Sequence, residues 1–491
     1  MTTSRRLLPI AAMLVVVMAA LALANFPARL EVPLFAVLAV IAVLAVTTGV
    51  REVTTAVNAM PEPDAARAPQ AVAKEFLGKT FGALADSHFR MFYLGNVLQF
   101  GCMNMQLVVR GWLVFHLTGS FAALGTMALA NALPSVLASP IGGVVADRAT
   151  KKTVIQIAQI YNAVNAALLA ILAAGWFGLH LEFWHLFLSA FLQGTVNAIM
   201  QPSRQSMISD LVSRERLMNA IGINSSGQTF MQLVAPGFAG FLIAALSPSS
   251  VFAVITVLYI LAVSFTMRLP ARPLYAFVPG AGAPGRGGPR RGGGGVADLV
   301  AGMRYVATNR TIRGILLVNF FIVIVAMPYT QLLPGFVSSV LHRGALEQGI
   351  LQSVQGLGAM GGAVFVASSA PKGRGKMLLM CGAVLGIAIV AFSASTIYWI
   401  SLPIMIFLGF GQSTRMAIGQ VLIQEYSEDE YRGRVASIWF MQFGMVQFGT
   451  FFVGLLASAI GPQLAIGGMA VVLVIAMALS SVFVTSVRNL D

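Results

Sequence analysis

From Phe89 onward the chain alternates long apolar stretches with short polar breaks. Twelve stretches lie near residues 90–116, 121–145, 152–175, 182–206, 217–245, 249–268, 312–340, 345–368, 377–394, 398–420, 434–459 and 463–485. Each is long enough to cross a hydrocarbon layer of ~30 Å as an α-helix. Two more, residues 7–24 and 32–50, precede them. The stretches are rich in Ala, Leu, Gly and Met and lack the period-two alternation of membrane-spanning strands. The pattern predicts an all-α polytopic membrane protein.

Only 10% of the 491 residues are charged and 57% are hydrophobic, a balance that excludes a soluble enzyme. The formal charge of +14 raises the possibility of a nucleic-acid partner, and the placement of the bases removes it. With the spans laid alternately across the membrane, only Arg29 and Arg343 of the 31 Lys and Arg fall in loops of one side, Arg110 falls within a span, and 28 lie on or near the other side. That bias marks the cytoplasmic face of the cell inner membrane and puts the linker, the inter-bundle loop and the C-terminus inside. It also favours contact with anionic lipid headgroups. Cys102 and Cys381 lie in separate spans with no metal-ligand spacing, so neither a metal nor a cofactor is expected.

Residues 1–50 read as two added spans. Ala22-Leu23-Ala24 resembles a signal-peptide cleavage site, but the 18 apolar residues of the 7–24 run are long for a signal peptide, so the first helix is expected to be retained. Residues 51–88 form a cytoplasmic linker, in which Val72, Phe76, Leu77, Thr80, Phe81 and Leu84 share one side of an amphipathic helix. A six-span bundle (89–268), a Gly/Arg-rich inter-bundle loop (269–311) and a second six-span bundle (312–487) complete the chain. The bundles repeat weakly. Gly194, Asn197, Gln205 and Asp210 match Gly409, Gln412, Gln420 and Glu425 at a shift of 215, and Gly142-Gly143 matches Gly361-Gly362 at a shift of 219. Internal repeats of this sort mark transporters with a central site between the halves.

The loop between the second and third spans, GGVVADRATKK (142–152), resembles the major facilitator superfamily motif G-x-x-x-D-R-x-x-K/R-K/R through Gly143, Asp147, Arg148, Lys151 and Lys152, with Thr150 where glycine is more usual. The segments RGWLVFHLTGSFAALG (110–125), PSRQSMISDLVSRERLMNAIGINS (202–225) and QEYSEDEYRGRVAS (424–437) are similar to the branch containing the enterobactin exporter and macrolide efflux proteins. The resemblance covers residues 88–488. It implies two six-helix bundles, 12 spans, rocking about a midplane cavity, here with two extra N-terminal spans for 14 in all, and efflux driven by protons. It also implies a latch, in which the acid at Asp147 meets the inner start of the eleventh span, here Arg432-Gly433-Arg434. A carboxylate docked at a helix N-terminus gains about 0.3 to 2 kcal/mol.

Helical spacing picks out polar stripes within the spans. Asn96, Gln99, Gln106 and Arg110 recur along the first; Glu182, His185, Ser189, Gln193, Asn197 and Arg204 recur along the fourth; Gln348, Gln352 and Gln355 mark the eighth. Polar side chains facing lipid are costly, so these stripes are expected to face other helices or water. The resemblance places the first and fourth spans at the cavity. Asn96, Gln99, Gln106, Arg110, Ser189, Gln193, Asn197, Gln352 and Gln355 are therefore candidate substrate contacts, the alternative for each being a bond between helices. Arg110 lies at the depth of Glu182 and His185, which predicts an Arg110–Glu182 pair, with Glu182 or His185 as the proton-coupling group; the alternative has Arg110 reaching outer headgroups. Arg204 and Arg415 are expected to line the inner mouth or to bind anionic lipid. Gly356–Gly361 spells GxGxxG inside a span with no strand before it, and no phosphate-binding loop occurs, so ATP is not the fuel. The expected protein is no enzyme. It is a secondary active transporter, monomer favoured, exporting a small amphipathic compound such as a siderophore, a macrolide or another secondary metabolite. Uptake or lipid movement by the same fold, and a non-transporting scaffold, are the alternatives.

Overall fold

The computed structural model describes residues 82–275, 296–368, 373–428, 430–483, 488 and 490. The two added spans expected in 1–50, the linker to residue 81 and the Gly/Arg-rich stretch 276–295 lie outside the described residues. Among the described residues every regular element is helical. The first bundle contains α1 (Ser87–Thr118), α2 (Phe121–Arg148), α3 (Lys151–Ala173), α4 (Phe183–Leu211), α5 (Leu217–Ala245) and α6 (Pro248–Met267), one helix for each expected span. α7 (Val296–Thr308) follows, a helix within the stretch that composition assigns to a loop. The second bundle comprises α8 (Arg310–Ala326), α9 (Pro328–Ser339), α10 (Ala345–Ser368), α11 (Arg374–Ala394), α12 (Tyr398–Tyr426), α13 (Arg432–Phe440), α14 (Gln442–Ile460) and α15 (Pro462–Phe483).

Local chemistry sets the helix ends. The Asp86 carboxylate accepts from the His88 and Phe89 N–H groups to start α1, left-handed Gly119 (φ 62°) ends it, and the Ser120 hydroxyl accepts from Ala123 N–H to start α2. Two residues thus reverse the chain. The seventh and eleventh spans, each expected as one helix, are interrupted. Pro328 has no N–H to continue the ladder, so α8 gives way to α9 at Met327. At Met441 the ladder tightens to three-residue spacing, with Met441 N–H on Ile438 C=O at 3.1 Å and Gly444 N–H on Met441 C=O at 3.0 Å.

Among the described residues, nine helices or helix pairs are long and apolar enough to cross a membrane: α2, α3, α5, α6, α8–α9, α10, α11, α13–α14 and α15. α1, α4 and α12 are as long but fall below that apolarity. Each of these three carries a buried arginine and buried amides or hydroxyls. A polar helix is stable at membrane depth only when protein or water, not lipid, surrounds its polar side.

The internal repeat is a packing repeat. Gly194 of α4 lies against the backbone of Asn131 in α2, and Gly409 of α12 lies against the backbone of Gln355 in α10. Gly142 and Gly362 repeat the theme on the same helix pairs, facing Ala198 and Phe410 carbonyls. Small residues let helix backbones approach where no hydrophobic force drives them together.

One end of the molecule carries Arg148, Lys151, Arg374 and Arg432 and is called here the basic end; the α1–α2 turn marks the far end. The halves meet toward the far end. Gly125 abuts the Phe451 backbone, Gly454 abuts Phe121, and Gly111 abuts Pro334. Ala122 N–H donates to Ser458 Oγ at 2.9 Å, and Gly237 N–H donates to Ser353 Oγ at 3.0 Å. Nearer the middle of α2, Val136 lies against Gly444 of α14, while Leu137 and Phe443 beside them are exposed.

Candidate functional site

The polar stripes turn inward, as helix spacing predicts, and their side chains find one another. Asn96 and Gln99 of α1 are buried, with Asn96 Nδ2 donating to Asn224 Oδ1 of α5 at 3.0 Å. Gln193 of α4 bonds Gln106 of α1 and, at 3.5 Å, Asn162 of α3. In the second bundle Gln355 Nε2 donates to the Tyr329 hydroxyl at 2.9 Å and to Gln412 Oε1 at 2.8 Å, joining α10, α9 and α12. Asn197 and Gln352 are half-buried, and Asn197 Oδ1 has no partner. These bonds tie helices within each half, so every one of the candidate contacts among them holds the bundle together in this conformation.

Three arginines sit inside. Arg110 (9% exposed) donates to Ser189 Oγ at 3.1 Å; Arg204 (5%) donates to Gln201 Oε1 at 2.7 Å and lies 4.4 Å over the Phe100 ring; Arg415 (3%) bonds Asn319 and Gln442. All of these acceptors are neutral. Arg110 Nε, Arg204 Nη1 and Arg415 Nε are left buried without a partner. A buried charge without a counter-charge costs several kcal/mol, so the interior is electropositive by construction.

Two expectations need correction. Arg110 does not pair with Glu182. Glu182 is the N-cap of α4: its side chain accepts from the His185 backbone and from Trp184 Nε1 at 2.8 Å, while Glu182 N–H donates to His185 Nδ1 at 3.0 Å. Both proton-coupling candidates are thus engaged in a capping box at the far end, where unsatisfied helix N–H groups make an acceptor useful. Arg204 and Arg415 do not line a mouth or reach lipid either; interhelical packing encloses them.

The 142–152 loop is held by its bases. Lys151 pairs with Asp210 at the end of α4 at 2.7 Å, and Lys152 Nζ donates to the carbonyls of Met267 and Leu269 at 2.8 and 2.7 Å, neutralising the C-terminal end of α6. Arg374 and Glu425, 2.6 Å apart, repeat the first pair in the second bundle, where Glu425 is the residue that matches Asp210 in the repeat. Leu274 and Tyr275 N–H both bond Asp210 C=O, strapping residues 270–275 over a pocket of about 270 Å³ lined by Arg148, Lys151, Lys152 and Arg272 among others. α13 begins at Arg432, as the proposed latch requires, and the Arg434 guanidinium lies 5.3 Å over Tyr431. The side chain of Asp147 and the whole of Gly143 beyond its place in α2 lie outside the described residues. Removing Lys151 and Asp210 singly and together should yield a coupling of only about 0.5 to 1 kcal/mol in a thermal-unfolding cycle, because both side chains are partly exposed.

Sequence reasoning missed Tyr161, Asn162, Tyr259, Asn319 and Gln442, all interior polar groups. Tyr259 and Asn319 stand alone in apolar runs, where spacing gives no stripe to follow, whereas Gln159, Asn162 and Asn165 recur at three-residue steps that could have been read. Among the described residues no group of His, Cys, Asp and Glu is placed to hold a metal.

The transmembrane secretion effector family matches residues 78–490, a range that includes every described helix. The chain belongs to this family of the major facilitator superfamily. Its relatives include the staphyloferrin A transporter of Staphylococcus aureus, 22% identical over 71% of this chain and 84% of that protein. Macrolide efflux protein A of Streptococcus pyogenes is 22% identical over 71% of this chain and 83% of its own. Among solved structures, a bacterial homologue of the lysosomal transporter Spinster, inward-facing and unoccupied, has a TM-score of 0.64 at 16% identity, covering 82% of this chain and 97% of that one. The nucleoside transporter NupG has a TM-score of 0.56 at 17% identity, covering 80% of this chain and 98% of that one. Both likenesses establish the transporter fold. As a major facilitator transporter the chain moves small molecules across a membrane.

Proposed function

We propose that the protein exports a small amphipathic compound, a siderophore, macrolide or similar secondary metabolite, across the inner membrane by alternating access. The observation that carries this is the polarity of the closure: the contacts between the halves gather toward the far end. With the basic end cytoplasmic, this is a conformation open to the cell interior, the side from which an exporter loads. The relatives transport staphyloferrin A or expel macrolides, which supports export and this range of cargo.

In this reading Asn96, Gln99, Gln106, Arg110, Ser189, Gln193, Asn197, Gln352 and Gln355 exchange bonds among themselves for bonds to cargo as the bundles rock. Asp147 latches the basic end to the start of α13 at Arg432-Gly433-Arg434 when that end closes. Glu182 and His185 couple a proton only if the capping box opens in the other conformation. The pocket at Arg148 and Arg272 suits an anionic lipid headgroup. The protein works as a monomer, with no cofactor and no nucleic acid.

Untargeted mass spectrometry of medium from cells with and without the gene tests the export. A compound depleted from the medium when the gene is absent, and restored with it, is expected; identical media would remove export. Asp147→Asn should insert at wild-type level and export at about a tenth of the wild-type rate or less, the latch being the larger end of a helix-terminus interaction. Wild-type export by that variant would remove the latch.

A further inference from the structure

We infer that the second bundle holds a carboxylate-binding site formed by Arg415 of α12, Trp439 of α13 and Gln442 of α14, with Asn319 of α8 positioning the guanidinium. The inference rests on the efflux reading only in taking the carboxylate to belong to the cargo.

The donors and acceptors in this cluster do not balance. Arg415 donates to Asn319 Oδ1 and, at 3.4 Å, to Gln442 Oε1; Asn319 Nδ2 donates to the same Gln442 oxygen at 3.3 Å. Both amide oxygens are thereby engaged. Left without partners are Arg415 Nε, Gln442 Nε2 and Trp439 Nε1. Their side chains are 3%, 2% and 1% exposed. All three atoms are donors, and one belongs to a cation.

The backbone brings them together. The Trp439 indole is packed on Gly419, one helical turn beyond Arg415, where the close approach of the ring leaves no room for a Cβ. Gln442 follows Trp439 by three residues, a spacing that puts both on one side of the eleventh span. Between them lies the tightened turn at Met441. Interrupted helices at membrane depth are where transporters form binding sites, because the backbone there departs from regular packing.

The first bundle also leaves arginine donors without partners, Arg110 Nε and Arg204 Nη1, but it leaves acceptors among its orphans as well, Gln99 Oε1 and Asn197 Oδ1, a mixture that water serves in both directions. Water at Arg415 would satisfy donors but leave the charge. A carboxylate supplies two acceptor oxygens and the missing negative charge at once. A tryptophan packed one helical turn from the guanidinium also suits a cargo that carries its acid on an apolar body, since the ring offers apolar surface near the charge.

The test uses the full-length protein in lipid nanodiscs, with hexanoate as the probe, hexanamide as its neutral counterpart and chloride at equal ionic strength. Hexanoate should change tryptophan emission saturably and raise the unfolding temperature, with hexanamide and chloride doing neither. Arg415→Gln should weaken hexanoate binding at least about tenfold, and Trp439→Phe roughly fivefold with loss of most of the emission change. Arg415→Lys should recover part of the affinity. Equal effects of hexanoate and hexanamide, or a chloride effect equal to that of hexanoate, would overturn the site. So would wild-type binding by Trp439→Phe, a variant that keeps the ring and tests the donor even if Arg415→Gln does not fold. Hexanoate binding with no compound missing from the medium would uphold the site and refute export; export with no hexanoate binding would do the reverse.

Discussion

Cysteines introduced at Ala122 and Ser458 and then oxidised should abolish export, and a reductant should restore it. Ala122 N–H already donates to Ser458 Oγ at 2.9 Å, so the two backbones are close enough for a short link between α2 and α14. A covalent bond there holds the far end shut. If cargo leaves through that end, transport falls to background while the protein remains folded. The native Cys102 and Cys381 are both buried, so mild oxidant acts on the introduced pair. The readout is export of the compound found in the medium, before and after reduction, alongside a gel-shift or mass measurement of the link. Undiminished export by the fully linked protein would show that the far end need not open, and alternating access would be lost with it.

The second large effect concerns folding. Gly409→Ala and Gly194→Ala should each lower the unfolding temperature and the yield of monodisperse protein. At both positions a Cβ would run into a backbone carbonyl of the facing helix, Gln355 or Asn131. A rigid backbone gives way less readily than a side-chain tip, so each methyl should cost about 1 to 3 kcal/mol or more. Gly433→Ala is the matched control, because open space surrounds that position. It should leave the unfolding temperature within the error of the wild type, whereas equal losses at all three would show a helix-wide effect unrelated to packing.

Those two glycines also show how the sequence was readable. Gly194 and Gly409 match at a shift of 215, as do Asp210 and Glu425. The first pair proved to be the same helix contact in both halves, the second the same ion-pair acceptor. Repetition at equal topological places carries structural information even where identity is slight, because each half solves the same packing problem. The bases of GGVVADRATKK were less legible. Topology accounts for them without any partner, yet Lys151 and Lys152 are tied to the ends of α4 and α6. Shared depth along their spans is what pairs Arg110 with Glu182 in the sequence. Depth, however, says nothing of which side of a helix faces which neighbour, and Glu182 was already committed to its own helix end.

The sequence by itself determined the solvent of this protein, its all-helical build and the likeness of its two halves. Those properties follow from length, apolarity and charge taken along the chain, and a bilayer enforces them one segment at a time. The tertiary structure alone decided what the polar groups meet. Asn319 is 96 residues from Arg415 and 123 from Gln442, and only the packing of α8, α12 and α14 makes one cluster of them. Whether a buried donor is satisfied depends on atoms contributed by several helices at once, and no periodicity within one helix records that sum.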